Sequence, residues 1–194
     1  MRSLSVNLDH IATLREARKT SYPSITTAAG ICEVAGADGI TLHLREDRRH
    51  IKDRDLEIIR NITLLPLTLE MAPTEEMLEI ATRNKPDAVT LVPERRMEIT
   101  TEGGLDLTKD QKKILSIIQE LKRQSIKVCL FLEPIIEQIK IAKELGADAV
   151  EIHTGKYAVL FDRFNPSKYQ EELNHIKESV EYGVSIGLQM NAGH

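Results

Sequence analysis

Tryptophan is absent from this 194-residue chain, and three Phe and four Tyr make up its whole aromatic content. A protein that stacks on nucleobases needs flat rings on its surface, so this scarcity argues against such a platform. An excess of basic charge is missing too. Twenty-six Lys and Arg stand against 30 Asp and Glu, a formal net charge of −4 with the two signs interspersed. A nucleic-acid-binding domain carries the opposite balance, so no nucleic-acid partner is expected. No apolar run approaches the roughly 20 residues that span a bilayer, and no charged-then-apolar leader opens the chain. The expectation is a cytoplasmic protein without a membrane partner. The two cysteines, Cys32 and Cys129, lie far apart in apolar surroundings and read as reduced core residues, not as a disulfide or a metal site. A Gly-x-Gly-x-x-Gly turn does not follow the first apolar run, so the usual dinucleotide loop is lacking.

What is present is a regular alternation of two periods. Short β-branched and apolar runs at 4–9, 39–44, 66–71, 88–93, 128–132, 149–153 and 187–191 read as strands. Between them lie amphipathic stretches. Ser24 is placed to cap a helix ending near Gly36, and Thr74 opens another. Ile114, Ile117, Ile118 and Leu121 share one helical face; a further helix follows Pro134 and stops at Gly146, and one more runs over about 167–182. Strand–helix–strand repetition predicts parallel βαβ units and the α/β class. An internal echo, Gly36-Ala37-Asp38-Gly39-Ile40 against Gly146-Ala147-Asp148-Ala149-Val150, favours the repeated packing of a (β/α)8 TIM barrel over an open doubly wound sheet. The expectation is one barrel domain over 1–194. Seven strands are counted, so the last strand and helices of the barrel are expected to lie outside this chain.

Strand side chains alternate between the helical layer and the barrel interior. One phase is apolar: Leu4, Val6 and Leu8; Ile40, Leu42 and Leu44; Leu67, Leu69 and Met71. The inward phase is not. It carries Ser5, Asn7 and Asp9, then Thr41, His43 and Arg45, then Thr68 and Glu70. Later strands add Cys129, Phe131 and Glu133, then Glu151 and His153, then Gln189 and Asn191. Barrel interiors are normally filled by branched apolar groups, and barrel sites sit at the C-terminal strand ends. Polar residues gathering at that end on strand after strand point to a site, against the plainer reading of a self-satisfied polar plug.

His43 and Glu70 fall at matching depth on neighbouring strands, a pairing suited to proton transfer near neutral pH or to a structural ion pair. Asn191-Ala192-Gly193 presents His194 on a tight loop. The run Arg45-Glu46-Asp47-Arg48-Arg49-His50 could grip phosphate, helped by Arg15 and Arg18, or could be a solvated charge run. Thr100-Thr101-Glu102-Gly103-Gly104 lies in a long loop with hydroxyls to offer a ligand. A metal set of His43, Glu70 and His194 lacks any short ligand spacing, and no metal is expected. Lys156, just past the sixth strand, is the candidate for a Schiff-base aldolase.

Several segments together carry a resemblance. They are Val6-Asn7-Leu8-Asp9-His10-Ile11-Ala12-Thr13-Leu14-Arg15; the stretch from Gly36 to Ile51 with its His43-Leu44-Arg45-Glu46-Asp47-Arg48-Arg49-His50 core; Leu91-Val92-Pro93-Glu94-Arg95; Thr100-Thr101-Glu102-Gly103-Gly104-Leu105; Glu151-Ile152-His153-Thr154-Gly155; and Asn191-Ala192-Gly193-His194. In this order, over the whole chain, they closely resemble the pyridoxine 5′-phosphate synthase family. The resemblance implies a β/α barrel with extra helices, assembled as a homo-octamer and working without a cofactor. It implies condensation of 3-amino-2-oxopropyl phosphate with 1-deoxy-D-xylulose 5-phosphate to pyridoxine 5′-phosphate, phosphate and water. By matching position, His43 and Glu70 are implied as proton acceptors and His194 as proton donor. Asn7 and Arg18 are implied as ligands of the amino-ketone phosphate. Asp9, His10, Arg45, His50 and Thr100 are implied as ligands of the deoxyxylulose phosphate. The remaining alternatives are another sugar-phosphate barrel aldolase and a catalytically silent barrel that binds a phosphometabolite.

Overall fold

The structure, a computed structural model, describes residues 2–94, 103–163 and 166–194. The chain forms two compact units, Met1–Thr90 and Leu91–His194. The first contains β1 (Ser5–Asn7), α1 (Asp9–Arg18), α2 (Ile25–Val34), β2 (Gly39–His43), α3 (Asp53–Ile62), β3 (Leu67–Met71) and α4 (Glu75–Asn84), and most of β4 (Ala88–Leu91). The second contains α5 (Gln111–Arg123), β5 (Lys127–Leu132), α6 (Ile136–Glu144), β6 (Ala149–His153), α7 (Gly155–Asp162), α8 (Pro166–Ser185) and β7 (Gln189–Gly193). β1–β2 and β2–β3 in the first unit, and β5–β6 and β6–β7 in the second, pair in parallel. Parallel strands joined by helices are the (β/α)8 barrel order, and seven of its strands are here.

Period-two patterning is visible in the burial. Ile40, Leu42, Leu44, Leu67, Leu69 and Met71 are fully buried, as are Leu56 and Ile59 on α3 and Met77 and Ala81 on α4. Each large apolar side chain so removed from water contributes about 1.5–3 kcal/mol. On β3 the intervening Thr68 and Glu70 are only half-buried. β2 is buried on both phases, Thr41 and His43 included, and Arg45 two residues past it is buried as well.

Register is fixed by a device that recurs three times. Asp38, just before β2, accepts the Leu4 N–H through its carboxylate at 2.7 Å and donates its own N–H to the Leu4 carbonyl at 2.9 Å. Asp87 does the same to Leu67 before β4, at 2.8 and 2.9 Å. Asp148 does it to Val128 before β6, at 2.9 and 2.9 Å. An aspartate at the foot of one strand thus closes a two-bond ring on the foot of the preceding strand. In a sheet whose side-chain period is two, a one-residue slip would turn every inward group outward. The Gly-Ala-Asp echo is the sequence trace of two of these rings. Its glycines, Gly36 and Gly146, hold φ of 85° and 84°, the left-handed turn out of the preceding helix.

Ser24 caps α2 by accepting the Thr27 N–H, and Thr74 caps α4 by accepting the Met77 N–H, both as expected. β1 is shorter than the expected 4–9. The Asn7 carboxamide oxygen takes the Asp9 N–H at 2.7 Å, which turns the chain into α1 directly after the strand. α1, α3 and α7 lie outside the segments expected to be helical. The first two are organised by long-range charge contacts, described below. β7 starts two residues later than expected, because Gly187, at φ 78°, still belongs to the turn after α8.

Candidate active site

In the first unit the candidate groups gather at and just past the C-terminal ends of β1, β2 and β3. His43 and Glu70 are register partners on β2 and β3. His43 Nδ1 lies 3.8 Å from Glu70 Oε2, with the His43 side chain 7 % exposed and that of Glu70 18 % exposed. Asp9, at the head of α1, sends Oδ1 to the His43 N–H at 2.8 Å, and its Oδ2 accepts from Asn7 Nδ2 at 3.0 Å. The carboxylate therefore fixes the main chain that carries the imidazole. Arg45, two residues past His43, is 2 % exposed. His50 closes the group, its ring centroid 6.0 Å from that of His43 in an edge-to-face contact.

His50 accepts the Ile51 N–H at Nδ1, 2.8 Å away, so that nitrogen carries no proton. Burial holds its pKa below the ordinary value, and His43, Arg45 and Arg49 push the same way against the opposing charge of Asp9. A histidine whose folded pKa is depressed resists protonation that the unfolded chain accepts. Its stabilising contribution is complete above about pH 6.5 and is lost as pH falls through the folded value. Imidazole NMR titration of His50 is expected to give a midpoint below about 6.5, with the Nε2–H tautomer at neutral pH. A midpoint at or above that value would contradict the assignment.

Asn7 is exposed and engaged with Asp9. His10 is exposed on α1. Arg18 ends α1, with its guanidinium 5.7 Å over the Tyr22 ring and Nη2 3.4 Å from the Tyr22 hydroxyl. Thr100 lies outside the described residues. The arginine run divides by partner. Arg48 pairs with Asp53 at 2.9 Å and Glu76 at 2.6 Å, and Arg49 pairs with Asp47 at 2.6 Å. Arg15, one of the residues that could help grip a phosphate, has its guanidinium engaged by protein groups. It grips Asp55 with two bonds of 2.8 and 2.7 Å and donates to the His50 carbonyl at 3.2 Å. Asp55 in turn accepts the Lys52 N–H at 2.9 Å and caps α3. Forty residues separate Arg15 from Asp55, so no sequence pattern announced the pair.

Among the described residues, Asp9, His43 and Glu70 form a group whose ligand atoms lie within 4.8 Å of one another. The spacing would accommodate a cation, but the Asp9 oxygens already receive the His43 N–H and the Asn7 amide.

In the second unit His194 directly follows β7. Its ring lies 5.8 Å from Phe131 and 4.8 Å from His153, centroid to centroid. Removal of water from the ring holds its pKa down, His153 adds to this, and Glu133 opposes it. Glu151, inward on β6, has its pKa raised by burial. Lys156 pairs with the buried Glu172, a bond that raises the lysine pKa and keeps its amine charged. Sequence phase alone had put Glu133, Glu151 and His153 inside, but without a role.

Parallel strands with imidazole, carboxylate and guanidinium groups beyond their C-terminal ends define a barrel enzyme equipped for proton transfer. The family model described as pyridoxal phosphate biosynthesis protein PdxJ matches residues 4–194, and the chain belongs to that family. A relative named pyridoxine 5′-phosphate synthase from Aquifex aeolicus (strain VF5) is 56 % identical over 191 residues, 98 % of this chain and 79 % of the relative. One of the same name from Synechococcus sp. (strain JA-2-3B'a(2-13)) is 51 % identical over 194 residues, 100 % of this chain and 80 % of the relative. Two solved structures are similar in fold alone. Mandelate oxidase with 3,3-difluoro-2-hydroxy-3-phenylpropionic acid aligns with a TM-score of 0.60 at 14 % identity, over 97 % of this chain and 66 % of that one. A native KDPGal structure aligns at 0.54 and 13 % identity, over 98 % and 82 %.

Proposed function

We propose that the chain is a pyridoxine 5′-phosphate synthase that condenses 3-amino-2-oxopropyl phosphate with 1-deoxy-D-xylulose 5-phosphate. The observation that carries this reading is the register pairing of His43 with Glu70 beside the buried Arg45, in a member of the PdxJ family. Imine formation, phosphate loss, water addition, ring closure and dehydration each move protons, and none transfers electrons to a carrier. Several acid and base groups around one bound pair of substrates serve such steps in turn.

In this reading His43 and Glu70 accept protons. At 3.8 Å their contact is longer than a good hydrogen bond, and such contacts commonly tighten when substrate arrives. Asp9 holds the His43 backbone, and Arg45, with His50 neutral beside it, offers fixed positive charge to a phosphate. Asn7 and Arg18 bind the amino-ketone phosphate; Asp9, His10, Arg45, His50 and Thr100 bind the deoxyxylulose phosphate; His194 donates a proton. No described helix is long and apolar enough to cross a membrane. The proposal takes the protein to work in the cytoplasm as a homo-octamer, following the family resemblance.

A Schiff-base aldolase is the weaker reading. It needs a neutral lysine amine, and the pairing of Lys156 with Glu172 stabilises the charged form instead. Incubating the full-length protein with both ketone phosphates is expected to yield pyridoxine 5′-phosphate and inorganic phosphate. Absence of product, with borohydride trapping substrate on Lys156, would overturn the reading in favour of an aldolase. Tight binding of deoxyxylulose phosphate without turnover would favour a silent barrel.

A further inference from the structure

Two inward groups of the second unit have no part in the function proposed above. β5 ends at Leu132 and Glu133 follows it; β6 ends at His153; β7 ends at Gly193 and His194 follows it. Leu132 is in register with Ile152, and His153 with Gly193. Successive strand ends therefore bring Glu133, His153 and His194 side by side. Glu133 Oε1 lies 2.8 Å from His153 Nδ1, and the same oxygen accepts the Gly104 N–H at 3.0 Å. The His153 ring, its side chain 11 % exposed, meets the His194 ring edge-to-face at 4.8 Å and 73°. Phe131 lies against both rings, 5.2 Å from His153 and 5.8 Å from His194.

Two glycines make room for this arrangement. A Cβ on Gly104 would come 2.6 Å from the Leu132 Cα, a main-chain atom that cannot step aside. Without a side chain, the Gly104 N–H can approach Glu133. A Cβ on Gly155 would come 2.6 Å from His153 Nε2, so glycine there leaves space for the ring. The carboxylate holds the proton of His153 on Nδ1 and with it the angle of the ring, as carboxylates do for metal-bound and catalytic imidazoles.

We propose that Glu133 and His153 are a positioning pair for His194: the carboxylate, anchored by the Gly104 N–H, fixes the His153 ring, and that ring fixes the orientation of the His194 imidazole. The proposal rests on the reading of His194 as the proton donor. His153 and Glu133 are positioning residues, with no substrate contact required of either.

Among the described residues, the charged and titratable groups that act on His194 are Glu133 and His153; Lys156 acts on Glu133, and the Glu151 carboxyl lies under Gly193. A proton donor works in its protonated form, so activity falls as pH rises through its pKa. Glu133 raises that pKa and His153 lowers it. In the full-length protein, Glu133→Gln is expected to move the basic limb of the kcat profile to lower pH, and His153→Phe to higher pH. Both variants are expected to lose about tenfold or more in kcat, the effect of a misaimed group, with KM held within about threefold. NMR titration of the His194 imidazole in the same variants reads the shift directly, without turnover. Midpoints moving in opposite senses support the pair. Midpoints that stay put or move together overturn it, as does kcat within twofold of wild type in both variants. A wild-type protein that forms no pyridoxine phosphate but shows the opposed midpoints would defeat the functional reading and leave the positioning pair standing.

Discussion

Replacing His43 or Glu70 by alanine is expected to lower kcat by about 10²–10⁴-fold, the range over which a positioned acid or base contributes. The two side chains are register partners at the ends of β2 and β3, so each loss removes one half of a single proton-handling unit. Their effects should therefore not add: the double variant is expected to be little worse than either single one. The fold is expected to survive. Asp9 is bonded to the main-chain N–H of His43, and that bond does not depend on the imidazole. The fully buried Ile40 and Leu42 on β2 and Leu67, Leu69 and Met71 on β3 lie on the opposite phase from His43 and Glu70. Steady-state assays of product formation, with circular dichroism to check folding, decide the matter. Either variant making product at the wild-type rate would remove His43 and Glu70 from the chemistry.

The largest expected loss of stability comes from Asp55→Ala. Arg15 and Asp55 form a two-bond pair with each side chain only 13 % exposed. Removing the carboxylate leaves a guanidinium in a poorly hydrated place, retaining Glu16 at 3.0 Å as its remaining carboxylate contact. Breaking such a pair costs about 3 kcal/mol, and loss of the α3 cap to Lys52 adds about 1 kcal/mol. For a domain of this size the sum lowers Tm by roughly 8–16 °C. The same change loosens the guanidinium that also donates to the His50 carbonyl, so KM for the phosphorylated substrate is expected to rise as well. Thermal and urea unfolding of the variant measure the first effect. A stability loss under about 0.5 kcal/mol, the scale of an exposed pair, would show that Arg15 and Asp55 act as surface charges.

Most of the strands were legible because the sheet leaves a local record. Val-, Ile- and Leu-rich runs of period two are written in consecutive residues, and β2, β3, β5 and β6 lie within a residue or two of where the pattern put them. Helices with an apolar face, such as α5 with Ile114, Ile117, Ile118 and Leu121 buried, left a record of the same kind. α1 and α3 did not. α1 begins where Asn7 turns the chain and α3 where Asp55 caps Lys52, but the pair that ties the two helices together, Arg15 with Asp55, spans forty residues and lies in no short window. The inward phase also told where chemistry gathers, but not what each arginine does there. Arg15, Arg45, Arg48 and Arg49 look alike in the sequence, yet the structure pairs Arg15 with Asp55, Arg48 with Asp53 and Glu76, and both Arg45 and Arg49 with Asp47.

By itself the sequence determined the alternation of strands and helices, the polar inward phase at one end of the strands, and the family to which the chain is similar. All of these depend on periodicity or on the identity of neighbouring residues. Only the tertiary structure decided which carboxylate holds which base: Glu70 with His43, Asp55 with Arg15, Glu133 with His153. Those choices depend on strand register and on loops folding back across 20 to 40 positions, where the energy lies in contacts between segments and no single segment carries the information.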